Sequence, residues 1–246
     1  PNDGLCTKAT WYPEAKTVAG GNGYGSALNQ LSHPHSIFLD PNDSDALYIV
    51  DSGNNRILKW DQVSSTGSVI LGRMGRGNNS SQLNYPAFMT MDKLGTISLL
   101  RYQNVILAQQ VHVDHNGTVF IADTGNHRVM KYSVNATIGE IVAGGNGQDI
   151  KLNTIGLPHS VFVDQLGSVY VVDKYNDRIV RWLKDAQSGT VIAGGPGPGI
   201  SSRLLKQPTD LAFDREGNLY VCDSQNSRIQ MFAIDPSSCG ESYSNT

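Results

Sequence analysis

The sequence predicts an all-β protein, a β-propeller of about five four-stranded blades forming a single domain over residues 1–246. Three observations predict it. A pattern recurs at a shift of 50 residues: a proline, an apolar run closing on Asp, a glycine turn, a second apolar run closing on Asp, then Asn-x-Arg and an aromatic. Between copies lies a second element, an apolar pair running into glycines. The composition, 18 Asp against 4 Glu with 19 Asn and 26 Gly, favours turns over helix interiors. Each unit thus holds three short apolar runs and a glycine-ended fourth, which is four strands, and sheets that small cover their faces by stacking around an axis.

Along the chain, Ala9 to Trp11 and Thr17 to Gly21 read as the end of a unit without its beginning. The first full unit carries Pro34, Asp40, Asp51, Asn54, Arg56 and Trp60, has two extra residues in the turn from Pro41 to Ala46, and closes on Val69 to Gly72. A second starts at Pro86 to Asp92 and continues through Gly95 to Leu100, yet only 22 residues separate Asp92 from Asp114. Residues 86–108 are therefore an irregular sector. Either the blade has degenerated, with Val105 to Ala108 as a makeshift strand, or a six-bladed ancestor has lost part of one blade. The third unit has Asp114, Gly117, Asp123, Asn126, Arg128 and Tyr132 and closes on Val142 to Gly147. The fourth is the clearest, with Pro158 to Asp164, Gly167 to Asp173, Asn176, Arg178, Trp182 and Ile192 to Gly197. The fifth runs through Pro208, Asp214, Gly217, Asp223, Asn226, Arg228 and Phe232 but lacks a glycine-ended strand. The N-terminal strand is expected to supply it and close the last blade, converting two exposed edges into one paired edge.

The Asp-x-x-Asn-x-Arg turns, each after a strand and with a proline-led strand before it, resemble the NHL repeat, and the resemblance runs from about Thr17 to Ile234. It implies a propeller of the extracellular NHL-repeat-containing type. It leaves function open, because NHL propellers resemble one another whether they bind protein, bind RNA or catalyse. Closing the ring would bring Cys6 towards Cys239; a disulfide is the preferred reading and two unpaired surface thiols the alternative. Cys222 takes the strand position of Val50, Ala122 and Val172 and reads as a small buried hydrophobe.

Charge is balanced, 19 basic against 22 acidic residues with no block of one sign, which argues against a nucleic-acid partner. The longest apolar runs, such as Val169 to Val172, fall far short of the roughly 18 residues that a membrane helix needs. No membrane insertion is expected.

The repeated sets Asp51, Asn54, Arg56; Asp123, Asn126, Arg128; Asp173, Asn176, Arg178; and Asp223, Asn226, Arg228 are spaced alike. They read as turn chemistry, in which Asp and Asn bind local backbone and Arg pairs with a carboxylate. The glycine stretches lack a following Lys-Ser or Lys-Thr and read as blade connections, not phosphate loops.

Counting back five residues from the first Asp of each unit gives the start of the innermost strand: His35, Ala87, Gln109, His159 and Thr209, followed by Ser36, Phe88, Gln110, Ser160 and Asp210. These positions should ring one mouth of the central channel, so His35, Ser36, Gln109, His159, Ser160, Thr209 and Asp210 are the candidate ligand-binding residues. The Pro-His-Ser steps at 34–36 and 158–160 resemble the zinc-ligand positions of peptidyl-hydroxyglycine amidating lyases. That chemistry implies a third histidine where this chain offers Ala87, Gln109 and Thr209, so no zinc site and no catalytic residue is assigned. His112 is displaced by three residues, and His33, His115 and His127 read as loop residues. Glycosylation sequons stand at Asn42, Asn78, Asn79, Asn116 and Asn135.

The expectation is a non-enzymatic module that recognises a protein, peptide or glycan at the channel mouth or blade tops, needs no cofactor, and works outside the cell. The alternative is a propeller enzyme, either a zinc-dependent amidating lyase or a calcium-dependent lactonase using Asp210.

Overall fold

The computed structural model describes residues 5–41, 43–61, 63–77, 82–91, 97–101, 110–114 and 116–239. Among them there is no α-helix. β1 (Lys16–Gly20) precedes a four-stranded antiparallel first blade of β2 (Pro34–Asp40), β3 (Ala46–Asp51), β4 (Arg56–Trp60) and β5 (Ser68–Leu71). A two-stranded sheet follows, β6 (Pro86–Met91) and β7 (Ile97–Arg101). The third blade is β8 (Val111–Val113), β9 (Val119–Asp123), β10 (Arg128–Tyr132) and β11 (Glu140–Gly144), and the fourth is β12 (Pro158–Val163), β13 (Val169–Asp173), β14 (Arg178–Trp182) and β15 (Thr190–Gly194). The last holds β16 (Asp210–Phe213), β17 (Leu219–Asp223) and β18 (Arg228–Phe232), with β1 antiparallel to β18 as its outer strand.

Each blade is a meander whose turns are fixed by side chains. Asp164 accepts from the backbone N–H of Leu166 (3.0 Å) and Ser168 (2.7 Å) and lets Gly167 turn at φ 82°. Asp114 and Asp214 hold the N–H groups of Asn116 and Thr118, and of Glu216 and Asn218, in the same way. At the other end of each hairpin the motif carboxylate works across blades. Asp173 accepts from Arg178 Nε (2.9 Å), Asn176 Nδ2 (2.7 Å) and the N–H of Gly156 (2.8 Å), while the Arg178 guanidinium donates to the carbonyls of Ile150, Lys151 and Thr154. Asp51 with Arg56, and Asp223 with Arg228, repeat this clamp on the loops before their own blades. One planar fork satisfying three carbonyls is why Arg stands there.

The core lies between blades. Tyr220, Cys222 and Ile229 pack with Ile37, Ile49, Leu58 and Trp60, joining the last blade to the first. Phe120, Ala122 and Val129 pack with Val161, Val171 and Trp182, joining the third to the fourth. Met89 on β6 packs with Val50 and Ile57 of the first blade.

The expectation of about five four-stranded blades is corrected at one place. Four four-stranded blades stand around the axis, and the second sector has two strands among the described residues. The suggested strand at Val105 to Ala108 lies outside the described residues. On the third blade Val111 and Val113 are exposed.

The N-terminal segment closes the ring beneath the last two blades. Trp11 bridges Ile234 and donates its indole N–H to the Gly217 carbonyl (2.9 Å), and Cys6 is disulfide-bonded to Cys239 with Cα atoms 5.8 Å apart. The bridge points to an oxidising compartment. Cys222 is a buried free thiol.

Candidate functional site

The proline-led starts of the inner strands converge at one end of the axis, because every inner strand runs from that end to its Asp turn at the other. His35 and His159, from the first and fourth blades, meet across the axis with ring centroids 4.9 Å apart, and the Phe88 ring stands 5.0 Å from His35. His35 Nδ1 is 3.1 Å from the Ala87 carbonyl and His159 Nδ1 is 2.6 Å from the Thr209 carbonyl. A carbonyl can only accept, so both rings carry the proton on Nδ1 and the lone pair on Nε2. Burial, the nearby Lys174 ammonium and, for His159, the facing His35 hold both imidazoles neutral: His35 is pushed down to about 4, and His159 lies well below its ordinary value.

Directly below, the expected rim separates into two layers. Asp210 is buried and binds four other positions: Ile37 N–H (3.0 Å), Ser160 Oγ (2.7 Å), Leu211 N–H (2.9 Å) and Gln110 Nε2 (3.3 Å) donate to it, and Ser36 adds a further hydrogen bond. Gln110 in turn accepts from the Val161 N–H (2.8 Å). This correction takes Ser36, Ser160 and Asp210 off the rim: they form a polar plug that fixes four blades to one another. Burial raises the Asp210 carboxyl despite these donors. Thr209 is also buried, donates to the Pro34 carbonyl (3.3 Å) and still lines the mouth from below. Gln109 lies outside the described residues, as do Asn42, Asn78 and Asn79; Asn116 and Asn135 are exposed.

Above the plug sits a cavity of about 410 Å³, lined by His33, His35, Tyr85, Lys174, Thr209 and Gln225, among others. Three of its wall residues, His33, Tyr85 and Gln207, hold φ of 44°, 43° and 45° immediately before a proline. Bulky residues seldom adopt that backbone, and a following proline disfavours it further. Neighbouring blades impose it: Asn55 accepts the Tyr85 N–H (2.9 Å) and Asp177 the Gln207 N–H (2.7 Å). Strain of this kind tends to collect at ligand sites.

Lys174 is the residue that sequence reasoning missed. It follows the motif Asp of the fourth blade, where the other blades carry Ser52, Thr124 and Ser224. Those positions serve the ring: Ser52 donates to the Pro86 carbonyl (2.5 Å) and Thr124 to the Pro158 carbonyl (2.6 Å). A lone Lys in a column of hydroxyls was the available signal. His33, described above as a loop residue, also belongs to the cavity wall, whereas His112 packs against Phe120 and Phe162, away from the mouth.

A second cleft of about 470 Å³ opens at the opposite end, between the third and fourth blades. Its Asp114 and Asp164 are occupied by turn N–H groups, and its Lys131 pairs with Glu140 (3.4 Å). It is built from turns already satisfied and is the weaker candidate. Among the described residues no group of three or more His, Cys, Asp or Glu is placed to share a metal ion, so the two mouth histidines have no third ligand there.

Residues 205–232 match the NHL repeat family description. No curated protein matches the chain. Among solved structures, the chain is similar to a protein of unknown function from Bacteroides thetaiotaomicron (TM-score 0.62, 11% identity, covering 90% of this chain and 76% of that one). It is also similar to an auxiliary nutrient binding protein from the same organism (TM-score 0.59, 13% identity, 89% and 76%). A third is the calcium-binding protein regucalcin from Agrobacterium tumefaciens (TM-score 0.55, 12% identity, 89% and 96%). At these identities the likeness concerns the fold alone.

Proposed function

From the premise that the chain is an NHL-repeat β-propeller, we propose that it is a non-enzymatic binding module working outside the cell, which takes a peptide or glycan ligand at the axial mouth. One observation carries the reading: the cavity above the plug gathers His33, the neutral His35 imidazole, the Lys174 ammonium and the exposed Tyr85 ring within a space suited to one or two residues of ligand. The imidazoles of His33 and His35 present polar edges to ligand hydroxyls or amides, and Tyr85 offers an apolar face to a sugar or side chain. The interior network beneath excludes the reading of an open channel, so the ligand enters and leaves by the same side. The amidating-lyase alternative needs a third strong ligand beside His35 and His159, and the lactonase alternative needs Asp210 open to a cation, whereas its oxygens hold donors from four blades.

Extracellular placement draws its support from the disulfide and from exposed sequons at Asn116 and Asn135. Peptide and glycan arrays probed with the chain and with the His35→Ala, His159→Ala double variant test the function. Ligands retained by the parent should be lost from the variant; equal retention by both would place binding elsewhere and end this reading.

A further inference from the structure

We propose that the axial mouth selects ligands bearing a carboxylate, and that Lys174 is the residue that recognises it; the proposal rests on the reading of the mouth as a binding site. Lys174 projects from the turn after β13 into the cavity and is partly buried. The neighbours that influence its charge are the surrounding protein, which disfavours the ammonium, and the Cys222 thiol; no carboxylate is among them. Among the described residues its ammonium has neither a hydrogen-bond acceptor nor an ion-pair partner. Two of the other motif-adjacent positions, Ser52 and Thr124, carry hydroxyls that bind the next sector, whereas Lys174 makes no such bond and holds a charge in a recess without a partner among the described residues. A charge kept there without a partner is at its lowest energy when an anion arrives.

The rest of the wall narrows the anion. His35 is held neutral, and Lys174 is the one lysine or arginine among the described residues that line the recess. One ammonium matches the single charge of one carboxylate, whereas the charge of a phosphate dianion calls for a second cation. The carboxylate oxygens go to Lys174, and the remainder of the ligand lies against His33, His35 and Tyr85. A peptide C-terminus and a hexuronic acid share this chemistry.

The test uses four probes: acetyl-Ala-Ala as the free acid and as its amide, and glucuronate beside glucose. Binding is read from the NMR signals of the His35 and His159 rings and of the mouth amides. The variant is Lys174→Ser, which restores the residue type of the other blades and therefore keeps the fold; its thermal midpoint is measured alongside. At least one acid should shift the mouth signals, its neutral partner should bind about ten- to a hundredfold more weakly, and the variant should lose that preference. The acid that responds, peptide or uronate, identifies the source. Equal binding by acid and neutral forms would overturn the role of Lys174 while leaving the mouth a binding site. Absence of any acid response at the mouth would overturn the proposal outright, and if array ligands still depend on His35 and His159 the wider reading survives it. A preference that persists in Lys174→Ser would also overturn it.

Discussion

His35 and His159 face each other across the propeller axis, 4.9 Å between ring centroids, each with Nδ1 turned to a carbonyl of the next sector. Both stay neutral chiefly because burial disfavours the charged form, and then because the Lys174 ammonium opposes a second positive charge beside it.

That geometry makes stability pH-dependent. Both histidines have folded values below the ordinary 6.5, so the unfolded chain takes up their protons first as pH falls. Their contribution is full above pH 6.5 and shrinks on acidification, for His35 down to about pH 4, by something on the order of 3 kcal/mol. Asp210, Asp51 and Asp223 have raised values and act in the opposite direction, gaining stability as they protonate. The histidine term is therefore read as a difference: the fall in urea midpoint between pH 7 and pH 5 should be larger for the parent than for His35→Gln, His159→Gln. Identical slopes would contradict the buried neutral pair.

The clamps should differ in cost by blade. Arg178 and Asp173 are 2% and 0% exposed, whereas Arg128 and Asp123 are 32% and 16% exposed. Removing one partner of a buried pair leaves an uncompensated charge, so Arg178→Met should cost about 3–5 kcal/mol, and Arg128→Met about 1 kcal/mol or less. Denaturant titration of both variants decides, and equal costs would show that the motif is not a burial-dependent clamp.

Asp210 should couple blades that are remote in sequence. Asp210→Ala orphans the donors from Ile37, Ser160 and Gln110 and should cost about 3 kcal/mol or more. In a double-mutant cycle with Ser160→Ala the coupling should be about 1–3 kcal/mol, since the pair shares one hydrogen bond to a carboxylate. Additive losses would remove Asp210 from the role of common acceptor.

The Cys6–Cys239 bridge closes nearly the whole chain, 233 residues apart. In the chain-entropy model such a loop contributes up to about 5 kcal/mol, so Cys6→Ser, Cys239→Ser should lower the unfolding midpoint strongly and fray β1 from β18 first. Hydrogen exchange at Lys16–Gly20 reports the second effect; unchanged protection there would separate the bridge from ring closure.

Much of the architecture was legible in the sequence because a repeat reports local chemistry. The 50-residue period, the Asp turns, the Asp-x-x-Asn-x-Arg sets and the glycine ends each depend on contacts within one unit or with the next, so identical residues at identical spacing yield identical strands. The unpaired strand at each terminus followed from the same bookkeeping. Three-dimensional closure decided the site. A period says which residues occupy equivalent positions, but not how near the axis they stand, since the radius of the ring depends on how many sheets pack and how closely. Around the axis of the described blades, His35 reaches His159, Asp210 fills the space beneath as the common acceptor, and Ser36 and Ser160 turn from rim to interior. Lys174 was visible as a break in a column of hydroxyls, but that no acceptor among the described residues reaches its ammonium is a property of distances across the axis. Those distances join residues far apart in the chain, where local sequence carries no record of them.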